Sequence, residues 1–291
     1  SGAVFPLLAE RVLQEGGTVF GAARDEDGTV RHIGVDDLDG LRKLKSSKYV
    51  QSETGNCYRQ AKELLKAGRE VLFSGTPCQI AGLNAFLGRK YDNLLTVDVV
   101  CHGVPSPLAF RRYAEELTEE GKEKVLAVNF RDKVRGWYPY FLTVKTEENV
   151  YSSDCRENEF MRAFLANLCL RKSCAACPFA RFPRQGDLTL GDFWGIGRHA
   201  PDLDDNLGTS LVLINTERGR RRMAELTPRL KFRRSLPLAR AIEGNPSLVR
   251  PPVPHPQRDY FFARLEQLPF KQNVSHCFTG AEILLRPGIW V

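Results

Sequence analysis

Cys174-Ala175-Ala176-Cys177-Pro178 is a C-x-x-C-P run, and two further cysteines, Cys78 and Cys101, each follow an apolar run. Val71-Leu72-Phe73-Ser74 leads into Gly75-Thr76-Pro77-Cys78, and Leu94 to Val100 leads into Cys101-His102-Gly103. Four thiols so placed could hold one metal centre. A cubane iron–sulfur cluster needs four converging thiolates, and C-x-x-C supplies two from a single turn. Zinc accepts the same donors in a tetrahedron. Spacing alone does not separate the two, and four buried unliganded cysteines are the plain alternative. Cys57, Cys155, Cys169 and Cys277 read as packing residues or spare thiols.

Both single cysteines stand just past strand-like runs, where open α/β sheets bind their ligands. Neighbouring strands lie about 5 Å apart, so two such thiols can reach one small cluster. Gly75 to Gln79 is a strand-to-helix loop whose amides could face an anion or sulfur. It is neither a dinucleotide-binding G-x-G-x-x-G nor a P-loop. His102 could donate a proton or simply be an oriented loop residue. Cys101 beside His102 could suggest a nucleophile and base, but adjacent strand residues point to opposite faces, which disfavours a cysteine hydrolase. Lys133, in Phe130-Arg131-Asp132-Lys133, could neutralise a bound anion or form a surface ion pair. Asp187 and Asp192, with Trp194, could support ligands or be turn residues.

The elements that must position these groups alternate. Phe5–Glu15 reads as a helix stopped by Gly16-Gly17, and Thr18–Ala23 and Thr29–Gly34 as a hairpin around Asp25-Glu26-Asp27-Gly28. Short helices are expected over Asp36–Leu44 and Asn56–Ala67, with the polar loop 46–52 between them. Glu70–Ser74, Gln79–Leu87 and Leu94–Val100 make a strand–helix–strand unit, followed by a helix over Leu108–Glu120. Strands then recur at Val125–Arg131, Tyr138–Thr146 and Val150–Ser153, a helix at Asn158–Leu168, and a strand at Thr209–Asn215 before a helix capped by Thr216. From Leu236 onward, prolines and isolated aromatics suggest an extended tail packed across the body. The expected fold is α/β: a mixed, partly parallel sheet core with helices and a smaller antiparallel second part. The regions are taken as 1–72, 73–235 (holding the site) and a tail over 236–291.

The chain of 291 residues is 42% hydrophobic and 26% charged, enough for a sizeable core. No apolar stretch approaches a membrane span and no signal peptide is visible, so a soluble cytoplasmic protein is expected. Its eight cysteines then suggest reduced thiols or metal ligands, not a disulfide scaffold. The formal charge of +7 gathers at Arg218–Arg222 and Lys231–Arg234. These runs read as solvated faces, with an acidic protein or a phosphate-bearing coenzyme as the sharper alternative. No nucleic-acid motif accompanies them.

Taken together, 46–52, Val71–Leu83, Val97–Ser106, Phe130–Lys133 with Gly136-Trp137, the C-x-x-C-P run and Asp187–Gly195 resemble the coenzyme F-420 hydrogenase/dehydrogenase beta-subunit family. The resemblance runs from Ser1 to about Arg258. It implies an iron–sulfur flavoprotein oxidoreductase with FAD and a [4Fe–4S] cluster, relaying electrons between the cluster and a hydride carrier or organic substrate. Carried over by position, Cys78, Cys101, Cys174 and Cys177 would be the cluster ligands. Ser47, Lys48, Tyr49, Ser52, Thr76, Gln79, His102, Gly103 and Lys133 would touch the flavin, with His102 and Lys133 as the catalytic candidates. Many relatives carry a ferredoxin-like segment before the point where Ser1 stands. The implied electron source is therefore ferredoxin, or a ferredoxin-like domain or subunit. A zinc-stabilised binding module without redox activity is the alternative.

Overall fold

The computed structural model describes residues 2–278 apart from Glu26 and Glu120. Glu26 of the expected hairpin turn, Glu120 at the end of the expected helix, and residues 279–291 of the expected tail lie outside the described residues.

The expected α/β class is what the structure shows. One sheet carries β1 (Thr18–Arg24), β2 (Val30–Val35), β3 (Val71–Gly75), β4 (Leu94–Val99), β8 (Leu188–Asp192) and β9 (Ser210–Ile214). Its order is β2-β1-β3-β4-β8-β9. The four inner strands run parallel, and β2 and β9 close the edges antiparallel. A second, antiparallel sheet is made of β5 (Val125–Asp132), β6 (Phe141–Thr146) and β7 (Val150–Asp154). The main sheet draws strands from both sides of residue 72, and β3 itself spans that position.

The helices are α1 (Val4–Gln14), α2 (Leu38–Leu44), α3 (Cys57–Lys66), α4 (Pro77–Leu87), α5 (Pro107–Leu117), α6 (Glu159–Leu165), α7 (Ile196–His199), α8 (Glu217–Leu226), α9 (Leu238–Gly244), α10 (Arg258–Arg264) and α11 (Phe270–Cys277). Alternation along β3 explains the layering, because successive strand residues face opposite sides. Leu72 packs with α1, α2 and α8 through Leu8, Val12, Leu41 and Met223. Val71 and Phe73 pack the other way, with Ala61 and Leu65 of α3 and Ile80 and Leu83 of α4. Burial on both faces is why β3 and β4 are predominantly apolar in place of alternating.

Two expectations are corrected. The residues after Leu236 are not an extended tail, since α9, α10 and α11 form there. Phe261, Leu265, Phe270 and Val274 sit in the core cluster that also holds Phe110, Phe130 and Phe160. The isolated aromatics are thus core residues of short helices, and the prolines between 251 and 256 only join them. The helix expected over Asn158–Leu168 ends at Leu165, because Asn167 takes a left-handed backbone at φ +62°. Among the described residues no helix is long and apolar enough to cross a membrane.

Candidate functional site

Register places the first two thiols. Ser74 pairs with Val97 and Gly75 with Asp98, so β3 and β4 end side by side. Cys78 lies in the first turn of α4, and Cys101 stands two residues past the end of β4. The C-x-x-C segment comes in from far along the chain and is fastened at both ends to this strand. Before it, Arg171 N–H donates to Val104 O at 2.9 Å, Ser106 N–H donates to Cys169 O at 3.0 Å, and Pro105 bridges Leu170. After it, Arg184 Nη2 meets Asp98 Oδ1 at 3.1 Å, while Asp98 Oδ2 accepts the N–H groups of Gln185 and Gly186, both at 3.0 Å. Between these anchors, a 3-10 turn over Lys172–Ala176 carries Cys174 and leads to Cys177.

The four thiols share one neighbourhood. Burial pushes the Cys101 thiol up to about 12, and the proximity of Cys174, Cys78 and Cys177 adds to the shift. Burial likewise raises Cys174, with Cys78 and Cys177 contributing. Among the described residues, no group of three or more His, Cys, Asp or Glu side chains closes to the spacing of a single metal ion. Cys57, Cys155, Cys169 and Cys277 are buried elsewhere, consistent with packing.

Cys78 and Cys101 also line a cavity of about 460 Å³ at the carboxyl ends of the parallel strands. That volume falls within the roughly 300–1,000 Å³ usual for small-molecule sites. Ser47, Lys48, Tyr49, Ser52, Thr76, Gln79, His102 and Gly103 all line it. Lys133 does not stand among the lining residues. Burial lowers its pKa, and the nearby Asp192 carboxylate opposes that shift.

Lys48 donates to Lys43 O at 2.9 Å and Lys45 O at 2.6 Å, so its ammonium caps the last turn of α2. Burial drops its pKa to about 8. His102 sits edge-on to Phe164, with ring centroids 5.2 Å apart. Burial lowers its pKa, opposed by hydrogen bonds involving Asn167 and the Phe164 backbone. A neutral imidazole is the result, an oriented wall residue more than a ready acid at pH 7. Gly103, at φ +128°, lets the loop pass Leu170, whose Cδ1 would stand 2.6 Å from an added Cβ.

Other wall residues were not singled out as ligand contacts from sequence. Arg131 Nη2 bonds Asp192 Oδ2 at 2.7 Å, and its guanidinium lies 4.0 Å from the Tyr140 ring centroid, with Trp194 at 5.5 Å. Asp192 is therefore part of the cavity wall. Asp187 is structural: it accepts from Thr96 N–H and Thr96 Oγ1, both at 2.8 Å, and from Thr216 Oγ1 at 2.6 Å. His32 reaches in from β2, with Nε2 3.0 Å from Ser74 O and Nδ1 2.9 Å from Ser52 Oγ. Its signal in the sequence is only a histidine at an inward position of a hairpin strand, two residues from Val30.

Residues 68–233 match the family model that describes the C-terminal part of the coenzyme F420 hydrogenase/dehydrogenase beta subunit. No curated protein matches. Among solved structures, the fold is similar to a chain of the xenon-derivatised F420-reducing [NiFe] hydrogenase complex from Methanosarcina barkeri. The two share 16% identity over 85% of this chain and 82% of that one, with a TM-score of 0.55. At that identity the likeness is one of fold. The family match spans more than half of the sequence and contains all four clustered thiols, so the chain belongs to the coenzyme F420 hydrogenase/dehydrogenase beta-subunit family.

Proposed function

We propose that this protein is an iron–sulfur flavoprotein oxidoreductase. Cys78, Cys101, Cys174 and Cys177 would hold a [4Fe–4S] cluster, and the adjoining cavity would hold FAD. Family membership supports an oxidoreductase role. The observation that carries the finer reading is the meeting of four thiols from three distant segments, two of them in the wall of a ligand-sized cavity. When bound, the cluster moves single electrons and the flavin exchanges one or two, which joins a one-electron source to a hydride carrier or organic substrate.

The chain's own residues bind, orient and shield. The Asp98–Arg184 pair and the Val104–Arg171 bond fix the C-x-x-C turn against Cys101. Arg131, held by Asp192 among Tyr140, Trp137 and Trp194, presents a positive charge in an aromatic surround, suited to an anionic edge of a planar ring. Tyr49, whose pKa burial raises, stays a neutral donor beside it. We place the electron source in ferredoxin or a partner subunit. The solved neighbour belongs to a hydrogenase complex, which supports a partner subunit.

Anaerobic purification followed by absorption spectroscopy and metal analysis tests the reading. Bound flavin with iron and sulfide is the expected result. Zinc without flavin would overturn it in favour of the binding module.

A further inference from the structure

A chain of hydrogen bonds leads from His32 to the sulfur of Cys78, and its protons can be placed as far as Gln79. Ser74 O only accepts, so the His32 Nε2 at 3.0 Å carries the proton and Nδ1 accepts. Ser52 Oγ, 2.9 Å from Nδ1, must then donate to it. Ser52 Oγ in turn accepts from Gln79 Nε2 at 2.9 Å. The other end of that amide is fixed independently: Thr76 N–H only donates, so the atom 2.9 Å from it is Gln79 Oε1. Thr76 Oγ1 is 3.0 Å from the same Oε1 and 3.1 Å from Cys78 Sγ.

The Thr76 hydroxyl has one proton and two acceptors in reach. With a free thiol, Cys78 donates to the Thr76 oxygen and the hydroxyl proton goes to Gln79. An iron-bound sulfur has no proton and only accepts. The hydroxyl is then free to turn to sulfur, because Gln79 Oε1 keeps the Thr76 N–H and is not orphaned. Gln79 cannot follow, since Ser52 and His32 hold its amide from behind.

We propose that Thr76 sets the reduction potential of the cluster by donating a hydrogen bond to the Cys78 sulfur, with the His32–Ser52–Gln79 chain holding the one competing acceptor, Gln79 Oε1, in place. The inference rests on the iron–sulfur reading above. Thr76 is a positioning residue here, distinct from the flavin contact that the family resemblance implies. A donor on a cluster thiolate favours the reduced, more negative form, so its removal lowers the potential.

The test is a redox titration of the cluster, followed by electron paramagnetic resonance, in the intact protein and in Thr76→Val and Thr76→Ser, with iron measured in each. We expect Thr76→Val to shift the oxidised-to-reduced ratio at a fixed potential roughly tenfold, a midpoint about 59 mV lower for one electron. Thr76→Ser keeps the hydroxyl and the original midpoint. An iron-loaded Thr76→Val with an unchanged midpoint, or a Thr76→Ser that falls as far, overturns the inference alone. An iron-free wild type overturns the reading beneath it. Should Thr76→Val fail to fold, Thr76→Ala decides: it removes the hydroxyl without the added methyl, so the midpoint should fall as far, and an iron-loaded Thr76→Ala with an unchanged midpoint would overturn the inference.

Discussion

Replacing Asp98 with asparagine keeps the side chain's shape and removes its charge. The Asp98 side chain is 0% exposed and that of its partner Arg184 is 1% exposed. One carboxylate oxygen takes the guanidinium and the other takes two backbone N–H groups. An asparagine offers one acceptor oxygen for these three donors. If the oxygen faces Arg184, the new NH2 confronts Gln185 and Gly186; if it faces the amides, the NH2 confronts a buried cation. Breaking a buried pair costs about 3–5 kcal/mol, and leaving a buried amide unpaired costs about 1–3 kcal/mol. The two overlap, so we expect a loss of about 4 kcal/mol, a large share of the 5–15 kcal/mol or so typical of a folded protein. Urea unfolding followed by circular dichroism under reducing conditions measures it. Asp39→Asn is the control, because its pair with Arg42 is 85% and 78% exposed and is worth no more than about 0.5 kcal/mol. A loss at Asp98 below about 1 kcal/mol, indistinguishable from the control, would refute the anchoring argument.

At Gly208, φ is +82° and an added Cβ would stand 2.1 Å from Trp137 Cδ1. Gly208→Ala should therefore cost about 2 kcal/mol and alter tryptophan fluorescence, since Trp137 lies 4.3 Å from Trp194. Gly55→Ala, with φ +48° and nothing within 4 Å, should cost only about 1 kcal/mol in thermal unfolding; equal losses would contradict the packing argument. Burial, aided by the Lys48 charge, holds His32 below its ordinary 6.5. The unfolded chain thus binds a proton that the fold refuses below that pH, and stability falls as pH drops through about 6.5 and is steady above it. His32→Asn should flatten that acid slope by up to one proton, about 1.4 kcal/mol per pH unit, in denaturant titrations from pH 5 to 7. An unchanged slope would show that His32 does not contribute.

The strand–helix–strand unit was legible because β3 and β4 are buried on both faces and their sequences are mostly apolar, Val71-Leu72-Phe73 and Leu94-Leu95 with Val97 and Val99. The loops that follow them were legible for the same reason: a cysteine or glycine interrupts the run where the sheet ends. Ser47, Lys48, Tyr49, Ser52, Thr76, Gln79, His102 and Gly103 line the cavity because they sit on those loops and on 46–52. What joins distant segments was not legible. Asp98 and Arg184 are separated by 86 positions, and Arg131 and Asp192 by 61, with no local spacing to pair them. The helical end of the chain was missed because α9, α10 and α11 are only seven or eight residues long. Two turns show too little periodicity to stand out among prolines.

The four-thiol centre is tested most directly by measuring iron and acid-labile sulfide per chain after anaerobic purification. The wild type, Cys78→Ser, Cys101→Ser, Cys174→Ser and Cys177→Ser would be compared with Cys277→Ser, whose thiol is buried in the separate aromatic core. We predict about four irons in the wild type and in Cys277→Ser, and a marked loss in each of the other four variants. Equal iron in all six proteins, or loss confined to the C-x-x-C pair, would contradict a single centre built from three distant segments.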